Sequence, residues 1–276
     1  MTNFQARVLV ALLYFPALLL SLFDERIFSV VVLLLCSLSW FEYLSFKGQP
    51  RTTADWVRWG ALILLGSLPA FSKSMGWTIG AALGVWAVAL QLYVIRAMIR
   101  RRTFEQMQSD ISFVLIGFLY ISLLFTLFLG IRSYPSGMEA MWFIFFVIGA
   151  SDSGAYFAGL KFGRKPFFQH ISPKKTVEGF WGGMISALLV GGIFHFGLRA
   201  LDYHIPSLGV CLVMAVLVAA AGVYGDLFES MLKRYYGVKD SGRVMGGHGG
   251  VLDRFDAALF GAVPIFFYMV MFGAFQ

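Results

Sequence analysis

Nine apolar runs, each about the length of a membrane crossing, follow one another along the chain and govern what it can become. They cover approximately 7–23, 27–46, 57–73, 76–95, 111–131, 140–160, 179–199, 207–226 and 256–275. A helix needs roughly 20 apolar residues to cross the hydrocarbon of a bilayer. The runs are apolar on all sides, as buried or lipid-facing helices are. They lack the period-two alternation that a barrel would need, and an open sheet would leave backbone groups unpaired in lipid. The spans account for most of the 276 residues. No separate soluble domain fits, and any chemistry must sit in short loops and helix ends. The expectation is an all-α, polytopic integral membrane helix bundle of about nine transmembrane helices. Residues 1–140 would form N-terminal transmembrane helices and 141–276 a C-terminal catalytic region.

Composition agrees. Hydrophobic residues make up 59% and charged residues 13%, too little polarity to coat a soluble globule of this size. Disorder and a secreted disulfide scaffold are excluded on the same ground. Cys36 and Cys211 lie inside apolar runs with no metal spacing and read as small buried hydrophobes. The first run has no convincing small-residue cleavage site and reads as a retained anchor.

Charge sets the orientation. With the N-terminus and the even-numbered loops on one side, that side carries 18 of the 22 Lys and Arg, and the other carries 4. Positive charge marks the cytoplasmic side, so the N-terminus is expected inside and the C-terminus outside. The net charge of +7 then reflects topology and anionic lipid, with no nucleic acid as partner.

Two cytoplasmic segments hold polar residues that topology does not explain. The first contains Asp152, which ends an apolar run, and then Ser172-Pro173-Lys174-Lys175-Thr176. A carboxylate at that depth is expensive unless it faces a polar cavity or an ion. Ser172-Pro173 reads as a helix cap followed by proline at the first helical position, and a helix start beside Lys174 and Lys175 can hold an anion. In the second segment, Asp226, Ser230 and Lys233 fall on one helical face with Glu229 adjoining, and Asp253 and Asp256 share another. Between them, Gly246-Gly247-His248-Gly249-Gly250 lets backbone amides approach an anion. Hard oxygen ligands beside basic residues suit Mg²⁺ with a phosphate substrate. His248 reads as a phosphate-contacting or structural residue more than a proton carrier. His195 reads as a packing histidine, and His170 and His204 as interfacial. Glu42, near the cytoplasmic end of the second run, is expected to pair with a nearby Lys or Arg.

The pattern Ser230-x2-Lys233-Arg234-x4-Lys239-Asp240-x-Gly242-x3-Gly246-x-His248-Gly249-Gly250-x2-Asp253-Arg254-x-Asp256 resembles the C-terminal signature of phosphatidate cytidylyltransferases, also called CDP-diacylglycerol synthases. The blocks Ser151–Tyr156 and Ser172–Gly179 resemble that family as well. Met245, Gly246 and Ala257 stand where the family usually carries Leu or Ile, Pro, and Ser. The resemblance implies transfer of a cytidylyl group from CTP to phosphatidic acid, giving CDP-diacylglycerol and pyrophosphate. It also implies Mg²⁺, with a second metal ion left open.

Roles follow by analogy. Asp226 and Asp253 are the expected main metal ligands, supported by Asp256 and Asp240. Lys233, Lys239 and Arg254 neutralise phosphates, and Ser230 orients the site. Asp152, Ser172, Lys174, Lys175, Thr176, Ser207, Arg234, Gly249 and Gly250 hold substrate. The expected setting is a bacterial inner membrane with the site on the cytoplasmic side; a homodimer is left open. The competing readings are a paralogue with a different lipid phosphate or nucleotide, a transporter, and a CDP-alcohol phosphotransferase. The last would need an Asp-Gly-x2-Ala-Arg element that the chain lacks.

Overall fold

The computed structural model describes residues 16, 18–48, 84, 87, 88, 91, 95, 103–242 and 249–275. Within them lie α1 (Glu25–Ser45), α2 (Phe104–Gly117), a π-helical turn (Phe118–Leu123), α3 (Leu124–Arg132), α4 (Gly137–Phe162), a hairpin of β1 (Pro166–Phe168) and β2 (Ser172–Thr176), α5 (Val177–Ala200), α6 (Leu208–Tyr235) and α7 (Leu252–Phe272). The segments α2, π-turn and α3 form one continuous span. The architecture is all-α apart from the two-stranded hairpin. Among the described residues, six helices are long and apolar enough to cross a membrane. The runs expected over 7–23, 57–73 and 76–95 lie wholly or largely outside the described residues.

The helices extend beyond the apolar runs, and the extensions carry the polar residues. The span expected at 111–131 begins at Phe104, because Glu105, Gln106, Ser109 and Asp110 continue the helix behind the Thr103 cap, whose Oγ1 accepts the Gln106 amide. Helix α6 runs nine residues past the expected 226, carrying Glu229, Ser230 and Lys233 on helical backbone.

Ser172-Pro173 is not a helix start. Those residues lie in β2, antiparallel to β1 with Pro166 opposite Thr176. The helix begins one cap later, where Thr176 Oγ1 accepts the Gly179 amide at 3.1 Å. Glu178 closes the hairpin from below by accepting the Arg164 and Lys165 amides at 3.0 and 3.2 Å. Proline is tolerated in β2 because a two-stranded ladder has free edges on both sides.

The helices pack into one bundle with a continuous apolar core from Leu18 to Phe275. The most extensive packing joins α4 to α5, where small residues let the backbones approach: a Cβ on Gly182 would collide with that of Ala158. Along α5, Ile185, Leu189, Ile193 and Phe196 are each more than half exposed and form the outward ridge expected of a lipid-facing helix.

Two ends of the bundle are distinct. At one, Arg132 Nε donates to the Leu22 carbonyl at 2.9 Å and the Phe275 amide donates to Ser136 Oγ at 2.6 Å. At the other, the end of α1 meets the start of α2: Tyr43 donates to the Phe113 carbonyl at 2.9 Å and Lys47 pairs with Asp110 at 2.8 Å. The latter end also gathers the last turns of α4 and α6, the hairpin, and the first turns of α5 and α7. Lys161, Arg164, Lys165, Lys174, Lys175, Lys233, Arg234, Lys239 and Arg254 therefore share one face of the bundle.

Candidate active site

The site is built where α6 crosses α7. A Cβ on Gly225 would run into the Asp256 carbonyl and stand 3.0 Å from Phe260 Cβ. Only glycine permits this approach. The close crossing brings Asp226, the next residue on α6, into electrostatic range of Asp256 on α7 and of Asp152 on α4. Asp226 is half-buried; its Oδ1 accepts from Ser230 Oγ at 3.4 Å, and its Oδ2 pairs with Lys175 Nζ at 2.5 Å. Lys175 arrives from β2, so the hairpin supplies the cation that answers α6.

About two turns beyond Asp226 on α6, Lys233 bridges two acids. Its Nζ lies 2.7 Å from Glu229 Oε2 and 2.6 Å from Asp253 Oδ1, with Glu229 fully buried and the other two side chains nearly so. The second Asp253 oxygen accepts the Gly250 amide at 2.7 Å and the Ser241 amide at 2.9 Å, with Ser241 Oγ also at 2.9 Å. Gly249 makes this possible: its φ is +82°, in the left-handed region, and Asp253 Oδ2 sits against the position a side chain would occupy.

Both oxygens of Asp253 are already engaged by Lys233, Ser241 and Gly250. Asp226 is likewise engaged on both oxygens, by Ser230 and Lys175, and Asp256 is buried with one oxygen accepting the Ala257 amide at 2.8 Å. Asp240, Lys239, Arg234, Arg254 and Lys174 are exposed on the same face. His248 lies outside the described residues. Ser172 is half-buried in β2 and Thr176 caps α5. Ser207 stands apart from the site. It caps the N-terminus of α6, accepting the Val210 amide at 3.4 Å, roughly 28 Å along the helix from Asp226. His195 is buried with Nδ1 3.0 Å from the Pro206 carbonyl, and both cysteines are buried, as expected of packing residues.

Glu42 is the residue sequence reasoning placed wrongly. Among the described residues no Lys or Arg forms an ion pair with it. Its partners are the Val251 and Leu252 amides, at 2.9 and 3.0 Å, and Ser241 Oγ at 3.2 Å. The signal was visible, since a glutamate in an apolar span demands a partner.

The donor set suits a hard divalent cation in kind. Asp152, Asp226, Glu229, Asp253 and Asp256 face Lys175 and Lys233, an excess of carboxylate. Glu229 Oε1 is buried without a hydrogen-bond partner. Among the described residues no three acid, His or Cys side chains converge as a ready-made cage. Mg²⁺ is usually held by one or two carboxylates and completed by substrate phosphates and water.

A family model described as "Cytidylyltransferase family" matches residues 5–272. The chain belongs to the cytidylyltransferase family. Among its relatives, the phosphatidate cytidylyltransferase of Bacillus subtilis is 32% identical over 99% of this chain and 100% of its own length. That of Staphylococcus saprophyticus is 37% identical over 64% of this chain and 68% of its own. That of Haemophilus influenzae is 44% identical over 49% and 47%. The Bacillus subtilis relative thus matches the chain from end to end, and the six long apolar helices among the described residues mark an integral membrane protein.

Proposed function

We infer that this chain is a phosphatidate cytidylyltransferase whose working centre is the Asp226–Lys175 and Lys233–Asp253 cluster at the α6–α7 crossing. The observation that carries the reading is the coincidence, at one membrane face, of clustered carboxylates and lysines from three separate elements in a cytidylyltransferase chain.

The nucleophile is the phosphate oxygen of phosphatidate, already anionic near neutral pH. It bonds to the α-phosphorus of CTP, the bond from that phosphorus to the β-phosphate oxygen breaks, and pyrophosphate leaves. No side-chain nucleophile is required. The task is to bring polyanions together, and positioning with charge neutralisation supplies most of the rate.

Asp226 and Asp256 are the residues that would hold Mg²⁺, with Asp152 alongside. When bound, Mg²⁺ neutralises phosphate charge. Asp253 anchors Lys233 and the 249–252 turn. Lys175 and Lys233 face the phosphates; Lys174, Arg234, Lys239 and Arg254 raise the local concentration of anions from the rim.

The finer topology remains that of nine spans with a cytoplasmic N-terminus. The basic face then opens to the cytosol, where CTP is found, in a bacterial inner membrane. Purified protein given labelled CTP and phosphatidic acid, with and without Mg²⁺, is expected to release a labelled liponucleotide only with the metal. CTP hydrolysis without liponucleotide would reject the reading.

A further inference from the structure

Glu42 lies on α1, some 200 residues from the site in sequence, yet its carboxylate sits at the N-terminus of α7. The first amides of a helix lack intrahelical partners, and α7 has no side-chain cap from Val251, its own capping residue. Glu42 supplies one from another helix. Its Oε1 accepts the Val251 amide and its Oε2 the Leu252 amide. A carboxylate there also opposes the positive end of the helix dipole.

The loop is wrapped closely around this group. A Cβ on Gly242 would stand 2.6 Å from Glu42 Oε1, and one on Gly250 would collide with Glu42 Oε2 and Ser241 Oγ. Ser241 Oγ is the shared member: it lies 3.2 Å from Glu42 Oε2 and 2.9 Å from Asp253 Oδ2. Glu42 is completely buried, and every contact it makes here runs to the turn that holds Asp253.

We propose that Glu42 is a positioning residue for cytidylyl transfer, fixing the 249–252 turn and Ser241 so that Asp253 holds Lys233 at the phosphates. The role rests on the functional reading above. It reaches the reacting groups only through Asp253 and Lys233. It also makes α1 part of the active-site assembly.

The test uses the full-length protein in detergent micelles, comparing wild type with Glu42→Ala, Glu42→Gln, Ser241→Ala, the Glu42→Gln/Ser241→Ala double variant and Lys47→Ala. Lys47 ties α1 to α2 by its pair with Asp110 and reports on loss of α1 packing alone. Hydrogen exchange at Val251 and Leu252 should rise at least about tenfold in Glu42→Ala, less in Glu42→Gln, and stay unchanged in Lys47→Ala. The kcat for liponucleotide should fall roughly 10- to 100-fold in the Glu42 variants, the range for loss of an outer-shell partner, with the KM for CTP within about threefold. The double variant should lose less than the product of the single losses, because both act through one carboxylate.

Unchanged exchange at 251 and 252 overturns the proposal. So does wild-type kcat in Glu42→Ala, or an equal kcat loss in Lys47→Ala. If wild type itself makes no liponucleotide, the functional reading fails. In that case unchanged exchange in Glu42→Ala also ends the positioning claim, and raised exchange limits Glu42 to capping α7.

Discussion

Lys233 Nζ on α6 stands 2.6 Å from Asp253 Oδ1 on α7, and this pair decides how the acids divide their work. A carboxylate held by a lysine on one oxygen and by Ser241 and Gly250 on the other is a structural anchor. Asp226, half-buried and paired with Lys175, and Asp256, buried, flank the Gly225 crossing. Asp226 with Asp256 is the pair proposed to hold the metal, and Asp226 with Asp253 the pair expected from the resemblance.

Replacing Lys233 by Met keeps the length of the side chain and removes the charge. Glu229 and Asp253 would remain buried without a counter-ion, a change that costs about 3–5 kcal/mol. Lys233→Met is expected to lower the melting temperature in detergent clearly and to abolish turnover. Adding Glu229→Gln should restore part of the stability and none of the activity.

Lys175 behaves differently because it is partly solvated. Its pair with Asp226 contributes at most about 1 kcal/mol to folding. Loss of a charged hydrogen bond to a phosphate costs about 1.5–3 kcal/mol in binding, or ~10- to 100-fold. Lys175→Ala should melt near wild type while KM for CTP or phosphatidate rises by that factor, measured by steady-state kinetics.

Gly225→Ala tests the crossing itself. The added methyl meets the Asp256 carbonyl and Phe260, and overpacking of this kind costs about 1–3 kcal/mol. It should also slow turnover by parting Asp226 from Asp256. Gly192→Ala, in the interior of α5 with open space at its Cβ, should instead stabilise by roughly 0.5–1 kcal/mol. Thermal unfolding of the two variants against wild type is the comparison.

Much of this arrangement was legible from the residues. Helical period alone put Asp226, Ser230 and Lys233 on one face, and the Ser230–Asp226 and Lys233–Glu229 contacts are their i, i+4 consequences. What could not be read was long-range pairing. Glu42 was expected to find a cation, but its partners are backbone amides of Val251 and Leu252, and an amide has no letter of its own. Ser172-Pro173 carried a genuine helix-start signal. Thr176 carried another four residues later, and the hairpin closed by Glu178 decided between them. Ser207 was assigned to the site by analogy, whereas a 28-residue helix necessarily puts its two ends on opposite faces of the bundle.

The central claim is that Asp226 serves the reaction directly from an otherwise intact fold. The decisive measurement is the initial rate of liponucleotide formation by Asp226→Asn across a Mg²⁺ titration, beside wild type and with melting temperatures recorded for both. An amide keeps the acceptor for Ser230 and removes the charge. A rate reduced more than about 100-fold, beyond the usual outer-shell loss, with near-normal melting and no rescue by saturating Mg²⁺, is the predicted result. A wild-type rate at ordinary Mg²⁺ would contradict the account.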